Sequence, residues 1–535
     1  MSGEDGNSAS LLSWNVAGWK TAHEHIKRLG GLQQFLDKHH ASIFCLQETK
    51  LTLKVVADEF ASLGADEVGY DTFWSCNEGK GGQRQGLNGV VTFAKKGSVL
   101  RADSAPLGQS ELDAEGRCVL TDHGLFVVFN VYVPNSQGGL RLPFKIRWLR
   151  ALRAAMQRER AKGKHVILAG DLNMKHRPRD VHWTSRLISL KSLKDYLQSE
   201  SNNAGARDLA STIVKHWHEM AAALESKQIR VVESKGKSEL WGAFVSAADG
   251  SPSRLGQRFD SEAQAQVKFT LQGVGCERDG SVVVGPFIDE PAFMMKNEGD
   301  IYIQELMESI KKTSGLEVPR NIMKVIADGV GKNPTEPIVQ EWLHNVIAED
   351  GMVDSFAEFH HDADERYTCW DQSKCLRHDN IGSRIDYIFV DRELFAKHAR
   401  RGLELYSGGA NGTNSPSSAE AAKSAALLGG LMAPVGLDDK IGMAELHEEE
   451  YRAQFRESHS SGIVYTAQQL SDHVAISLAL NLPVRSVGLQ LGTDAATRLC
   501  QPHRTVKRIS DFFSKRPTHG NDAASTTKRH KVAGA

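Results

Sequence analysis

Six segments of this chain end or begin an apolar run with a polar side chain, and those side chains are chemically alike. LLSWNV delivers Asn15, SIFCLQE delivers Glu48, and FNVYVPN delivers Tyr132 and Asn135. HVILAGDLN delivers Asp171 and Asn173, RIDYIFV carries Asp386, and LSDHVAISLAL sets Asp472 and His473 ahead of its apolar run. Taken singly, an Asp or Asn at a strand end reads as a turn former, and Asp472-His473 reads as a helix cap or a satisfied surface pair. Taken together they predict a cluster of carboxylates, amides and one imidazole where several strand ends meet. Acids gathered in one pocket raise one another's pKa, and a hard divalent cation relieves that repulsion. Oxygen ligands with one or two carboxylates suit Mg2+ or Mn2+ rather than structural zinc.

The elements that must position these groups follow from the pattern around them. From Leu11 to about Trp183, LLSWNV, SIFCLQ, GVVTFA, LFVVFNVYV and HVILAG read as short strands bounded by Gly, Pro, Asn and Asp. HIKRLGGLQQFLDKHH and RLPFKIRWLRALRAAMQRER read as helices, so the stretch predicts a layered α/β sandwich. Residues 184–334 break the pattern and read as an insertion without a site-like motif. Within it Leu209, Ile213, Trp217, Met220 and Leu224 form one helical packing stripe, and VKFTLQGVG with SVVVGPF suggests a small hairpin or sheet. From Thr335 the α/β pattern resumes: PIVQEWLHNVIAED is a helix with Thr335 as candidate N-cap and Pro337 in its first turn. RIDYIFV and HVAISLAL are strands, separated in part by a Gly/Ser/Ala/Asn-rich loop at about 406–430. The domain reading is therefore a catalytic unit of residues 11–183 and 335–482, flanked by a disordered segment 1–10 and a disordered tail 483–535.

Composition bounds the rest. Of 535 residues, 40% are apolar, enough for a sizeable core. Lys+Arg 65 against Asp+Glu 66 leaves a net charge of -1, so any surface for an anionic partner must be local. Seven cysteines, an odd number without a CxxC pair, argue for reduced thiols inside a cell rather than a disulfide framework or zinc module. No run approaches the ~18 apolar residues of a membrane span. MSGEDGNSAS has no signal-peptide apolar run.

WNVAGW with Asn15, QET at 47–49, EGR at 115–117, YVPNS at 132–136, GDLN at 170–173, YTCW at 367–370, GSRIDY at 382–387 and SDH at 471–473 resemble the exonuclease III family of AP endonucleases. That resemblance covers residues 11–183 and about 335–482. It implies the DNase I-like fold of the endonuclease/exonuclease/phosphatase enzymes, a four-layered α/β sandwich. Ser383 in GSRIDY, where type 1 enzymes carry Trp, and His176-Arg177-Pro178 after GDLN lean toward the type 2 apurinic/apyrimidinic endonucleases. YVPNSQGGLRLPFKIRW leans toward type 1.

The resemblance implies metal-assisted hydrolysis of a DNA phosphodiester at abasic sites and 3′ ends in base excision repair. Glu48 is the expected principal ligand of Mg2+ or Mn2+, with Asn15, Asp171, Asn173, Asp472 and His473 completing the candidate metal set. Asp171 is expected to orient or deprotonate water, and Asn173 to donate to the developing phosphorane. His473, held by Asp386, is expected to contact the scissile phosphate, and Tyr132 to stabilise charge or protonate the leaving group. Lys50, Asn135 and Arg177 are candidate phosphate contacts, with solvated surface charge as the competing role for the two cations. Trp370 is read equally as a pocket wall for a baseless sugar or as core.

Three departures from the family pattern stand out. Ala17 occupies a position where relatives carry Asp or Asn, which puts a second metal in doubt. Asn88 in GLNGV replaces a small Ser, and Cys500 alone beyond residue 400 leaves no zinc-binding GRF module. In the tail, TVKRISDFFSKRP resembles a PCNA-interacting peptide, with Ile509, Phe512 and Phe513 as the sliding-clamp plug and Val506 where Gln is usual. The competing role is a tail folded back on the catalytic unit. From His503 onward the tail carries eight Lys and Arg against two Asp, and KRHK at 528–531 suggests nuclear import. Two other functions stay open: a phosphoesterase of the same fold acting on RNA or inositol phosphates, and a clamp-bound scaffold that has lost activity.

Overall fold

The computed structural model describes residues 9–482 apart from 29, 40, 60–62, 65–68, 80–84, 138–140, 200–202, 226–228, 234–240, 247–251, 260–273, 277–281, 285–299, 362, 401–460, 465 and 467–469. Two sheets carry the fold. The 7-stranded sheet runs Ala399–Arg400, Ala475–Leu480, Ala9–Asn15, Ala41–Gln47, Val90–Lys95 and Tyr70–Ser75, with Gly462–Val464 also pairing with Ala475–Leu480. The 6-stranded sheet runs Met352–Asp354, Asp386–Asp391, His165–Asp171, Phe126–Tyr132, Cys118–Asp122 and Arg101–Asp103.

Side-chain alternation builds four layers from these two sheets. Along Phe126–Tyr132, Val127, Phe129 and Val131 pack against helices Leu142–Arg160 and Pro337–Ala348. Phe126 and Val128 point the other way, into a core shared by Leu11, Ile43, Ile167 and Ile476 from both sheets. On the far side of the first sheet Leu12, Trp14 and Phe44 meet helices Trp19–Arg28, Leu32–Lys38 and Leu53–Asp58. A strand buried on both faces must be apolar at nearly every position, which is why these strands read as continuous apolar runs. The exceptions are paired: between the sheets the Gln47 amide donates to Asn130 Oδ1 at 2.8 Å, and Asn130 Nδ2 donates to the Val91 carbonyl at 2.9 Å.

Strand direction decides where the polar ends go. Ala9–Asn15 and Ala41–Gln47 are parallel, with Asn15 opposite Gln47, so Asn15 and Glu48 emerge at one end. Phe126–Tyr132 and His165–Asp171 are also parallel, with Tyr132 opposite Asp171. Asp386–Asp391 is antiparallel to the latter and Ala475–Leu480 to Ala9–Asn15, so their starting residues reach the same end. Gly170 is required there: its φ is 140°, and a Cβ would lie 2.0 Å from the Val131 carbonyl oxygen.

Residues 184–334 hold more than the sequence reading gave them. Helices Leu190–Gln198, Ala204–Glu225, Ile303–Ser314 and Arg320–Val330 bury Ile213, Trp217, Leu306 and Met323 with Trp183 in a core of their own. Leu209 joins them, whereas the side chains of Met220 and Leu224 lie outside those described. Leu187–Ile188 pairs with Ile301–Tyr302, and Leu187 bridges Lys332, which ties both ends of the segment together. Val274–Cys276 pairs with Val282–Val284, while VKFTLQ, the 406–430 loop and the whole tail lie outside the described residues.

Two sequence expectations need correction. HIKRLGGLQQFLDKHH is not one helix: Gly30 and Gly31, at φ 118° and 89°, end Trp19–Arg28 before Leu32–Lys38 begins. Thr335 is not the N-cap of Pro337–Ala348, because Glu336 takes that position. The Thr335 hydroxyl accepts from the Lys175 amide at 2.9 Å instead. Among the described residues no helix is long and apolar enough to cross a membrane.

Candidate active site

Asn15 is the hub of the polar cluster at the strand ends. Its Nδ2 donates to Glu48 Oε1 and to Asp171 Oδ2, each at 3.0 Å, and lies 3.5 Å from His473 Nε2. Its Oδ1 accepts from the Ala17 amide at 3.0 Å. In this arrangement Asn15 presents hydrogens to the acids, so it bridges them rather than offering the ligand oxygen expected of it. His473 Nδ1 is 2.8 Å from Asp386 Oδ2, and Asp171 Oδ2 lies 3.9 Å from His473 Nε2. Three acids placed far apart in the chain, Glu48, Asp171 and Asp386, thus converge on one imidazole and one amide.

The backbone prepares each of these positions. Glu48 has φ 53° and Asn173 φ 48°, left-handed conformations that turn the chain sharply as it leaves each strand. The Asn173 amide closes onto Asp171 Oδ1 at 2.8 Å, and Asn173 Nδ2 donates to the Val133 carbonyl at 2.9 Å. Ser471 Oγ donates to the Asn15 carbonyl at 2.7 Å and accepts from the His473 amide, locking the SDH turn onto the first strand. Thr368 Oγ1 accepts the amides of Ile385 and Asp386 in the same way.

The EGR segment supports Tyr132. Arg117 Nε donates to Glu115 at 2.6 Å, NH1 donates to the Tyr132 carbonyl at 3.2 Å, and the guanidinium stands 4.8 Å from the Tyr132 ring centre. Asn88 completes this knot: its Oδ1 accepts from Arg117 and its Nδ2 donates to the Glu115 carbonyl. That gives the Asn in GLNGV a structural reason which the sequence did not supply. A Cβ on Gly116, at φ 64°, would lie 2.2 Å from the Cys76 backbone carbonyl carbon.

Electrostatics separate the acids. Burial raises the Asp171 carboxyl, and the Asp386 charge pushes it further, so it is held well above the ordinary carboxylate range. Burial also opposes the Glu48 charge, but the Asn15 amide, Lys50 and Tyr132 outweigh it and keep Glu48 ionised below its usual value. Burial opposes the charged imidazole of His473, yet the Asp386 carboxylate beside it raises its pKa well above normal. Burial and the neighbouring Glu48 and Asp171 charges keep the Tyr132 phenol protonated.

The donor set fits a hard divalent cation. Asp171, Asp386 and His473 offer ligand atoms within 4.8 Å of one another, and Asp386 Oδ1 is buried without a hydrogen-bond partner. Glu48 and Asp171 share Asn15, so negative charge exceeds what the surrounding donors neutralise. Asp472 adjoins this group through His473, with Cys369 as its other ligand-type neighbour. Ala17, at φ 49°, offers no side-chain ligand. A second cluster, His176, Asp180 and Asp354, is no rival. Arg384 donates to Asp180 Oδ2 at 2.9 Å and to Asp354 Oδ2 at 2.7 Å and fills that position with its own charge.

The candidate nucleic-acid contacts divide. Asn135 is exposed, and its Nδ2 donates to Asn173 Oδ1 at 3.2 Å. Lys50 Nζ lies 3.2 Å from Glu48 Oε2 and donates to the Ala17 carbonyl. Arg177 is committed to Asp180, so its guanidinium serves the loop after GDLN rather than projecting into solvent. Trp370 is 1% exposed, donates to Asn380 Oδ1 and packs in the core between the sheets, and it also lines the cavity beside Asn173. Sequence reasoning missed Lys145, whose buried Nζ donates to the Asn173 carbonyl at 2.7 Å. Its signal was present, since Lys145 falls in the apolar stripe of Leu142, Ile146 and Leu149.

The sequence matches the Endonuclease/Exonuclease/phosphatase family over residues 12–231. An exodeoxyribonuclease of Bacillus subtilis is 31% identical over 251 residues, which cover 47% of this chain and 85% of that protein. The chain belongs to the endonuclease/exonuclease/phosphatase family. Its described fold is the DNase I-like sandwich of that family. Proteins named DNA-(apurinic or apyrimidinic site) endonuclease 2 from Bos taurus and Homo sapiens are 32% and 31% identical over 214 residues. Those matches cover 32% of this chain and 40% of each relative, so the aligned part spans well under half of those proteins. A crystal structure of the Xenopus laevis APE2 catalytic domain matches at 18% identity and a TM-score of 0.42, over 89% of this chain and 92% of that one, too low a score to build on.

Proposed function

We propose that this chain is a DNA repair nuclease that hydrolyses phosphodiesters at abasic sites and at 3′ ends, as AP endonuclease, 3′–5′ exonuclease and 3′-phosphodiesterase. One observation carries the reading: Asn15 joins Glu48 and Asp171 beside a His473–Asp386 pair in a single cluster. The names of the relatives, apurinic/apyrimidinic endonuclease and exodeoxyribonuclease, support the same substrate class.

Glu48 and Asp171, with Asn173 beside them, are the residues that would hold Mg2+ or Mn2+. When bound, the cation supplies charge stabilisation at the phosphoryl oxygens. Asp171, whose raised pKa suits a base working near neutral pH, orients water and accepts its proton as the oxygen attacks phosphorus. His473, kept positive by Asp386, and the Asn173 amide donate to the non-bridging oxygens where negative charge grows. Tyr132, protonated and beside Glu48, donates to the same charge or to the departing oxygen. Duplex DNA with abasic or blocked 3′ ends is the proposed partner, in the nucleus. The basic tail with Ile509, Phe512 and Phe513, outside the described residues, is the proposed sliding-clamp ligand.

The test is a parallel incubation of the chain with an abasic duplex, a 3′-recessed duplex and poly(A) RNA, each with Mg2+ and with chelator. Mg2+-dependent incision at the abasic site is the expected result. Preference for RNA would move the chain to another branch of the family, and inertness on all three would favour the scaffold.

A further inference from the structure

Beside the catalytic cluster lies a cavity of about 480 Å³ shared between the sandwich and residues 184–334. Asn135, Asn173 and Lys175 line it from the sandwich, while Tyr302 comes from the inserted segment. Lys175 is half-buried in this wall, two residues beyond Asn173. Its backbone is fixed where the insertion rejoins the sandwich, by Asn333 at the end of the insertion and Thr335 just beyond it. The amide donates to Thr335 Oγ1 at 2.9 Å, and the carbonyl accepts from Asn333 Nδ2 at 2.6 Å and from Thr335 Oγ1 at 3.2 Å. Side-chain hydroxyl and amide groups thus take up the main chain, and the ammonium is left facing the cavity.

The other cations near the cleft have protein partners. Lys50 is on Ala17 and Glu48, Lys145 on Asn173, Arg117 on Glu115, and Arg177 and Arg384 on Asp180. Among the described residues the Lys175 ammonium has no hydrogen-bond or ion-pair partner. A half-withdrawn ammonium without an acceptor is a costly arrangement unless an anion completes it. Asn135 lines the cavity near it with a donor hydrogen beyond the one given to Asn173, and the Glu336 carboxylate on the same wall acts on the ammonium by charge without forming an ion pair with it.

We infer that Lys175 is a substrate-binding residue that grips a non-bridging oxygen of a phosphodiester next to the one being cut, held in place by Asn333 and Thr335. This rests on the nucleic-acid reading proposed above, and it gives the inserted segment a share in the site: its far end sets the position of a phosphate-gripping cation. A compact ammonium suits a single phosphate oxygen without requiring the planar fork of an arginine.

The experiment compares full-length wild type with Lys175→Met and Lys175→Arg on a duplex containing a stable abasic analogue, with chelator for binding and with Mg2+ and a true abasic site for turnover. Lys175→Met should raise KM about tenfold, with a smaller change in kcat, as expected for loss of one charged hydrogen bond. It should also flatten the plot of log affinity against log salt by about 0.9, the slope of one phosphate contact. Lys175→Arg should restore the slope. Unchanged KM and slope in Lys175→Met would overturn the inference while leaving the nuclease reading intact. A flattened slope in a wild type background that binds but never cuts DNA would keep Lys175 and remove the nuclease reading. A wild type that neither binds nor cuts duplex would remove both.

Discussion

Replacing Arg384 with methionine tests whether the loop after GDLN is held by buried charge. Arg384 is 1% exposed and makes four hydrogen bonds: Nε and NH2 to Asp180 at 3.0 and 2.9 Å, and NH1 and NH2 to Asp354 at 3.0 and 2.7 Å. Methionine fills a similar volume but leaves both carboxylates buried. Removing one partner of a buried pair costs about 3–5 kcal/mol. Two acids lose their partner here, yet each keeps a second one: Arg177 on Asp180 at 3.0 Å and His176 on Asp354 at 3.1 Å. The expected loss at pH 7 therefore stays within about 3–5 kcal/mol and does not double.

The pH dependence has a definite sign. Burial alone would raise both acids, but Arg384, with Arg177 for Asp180 and His176 for Asp354, holds both below the usual value. Depressed carboxyls contribute stability that is fully present above the unfolded pKa of about 3.9 and is lost as pH falls below it. In Arg384→Met the same acids lose their main stabilising charge, so burial moves their pKa upward. The gap between wild type and variant should then be widest near neutrality and should narrow as pH approaches about 4. Urea unfolding at pH 7, 5.5 and 4, followed by tryptophan fluorescence, measures it. A variant within about 1 kcal/mol of wild type at pH 7, or a gap that stays constant with pH, would refute the claim that this ion network holds the loop.

Three further outcomes test the site. Glu48→Ala should lower kcat by about 10²–10³, with partial recovery at high Mg2+, read from incision of an abasic duplex over a metal titration; full activity in metal-free buffer would exclude a metal role for Glu48. Asp386→Asn leaves His473 without the carboxylate that orients it and keeps it charged, so incision should fall about 10–100-fold while duplex binding in chelator is retained. Phe512→Ala with Phe513→Ala should leave turnover on short oligonucleotides unchanged and abolish pull-down by the sliding clamp; equal capture of variant and wild type would end the clamp reading.

The cluster was legible because strand chemistry is local. A run such as HVILAG declares a buried strand within its own residues, and the next polar residue must then lie at a sheet end. Whether several such ends coincide depends on strand direction, which no single segment encodes. Here two parallel pairs and two antiparallel partners bring Asn15, Glu48, Tyr132, Asp171, Asp386 and His473 to one end. The misses have the opposite character. Arg384 meets Asp180 across 204 residues, and neither flanking segment indicates the other. The Asn15 amide faces the acids with nitrogen rather than oxygen, a choice made by Ala17 taking up Oδ1 and by the charges opposite. Thr335 carried an N-cap signal that was real in kind, since its hydroxyl does accept a backbone amide, but the amide belongs to Lys175, 160 residues away. Sequence patterns therefore located the polar groups, while partners distant in the chain fixed which atom each group presents. The chemistry of the cluster depends on that second step: burial and the Asp386 charge hold the Asp171 carboxyl well above its usual value, and Asn333 and Thr335 fix the Lys175 backbone beside it.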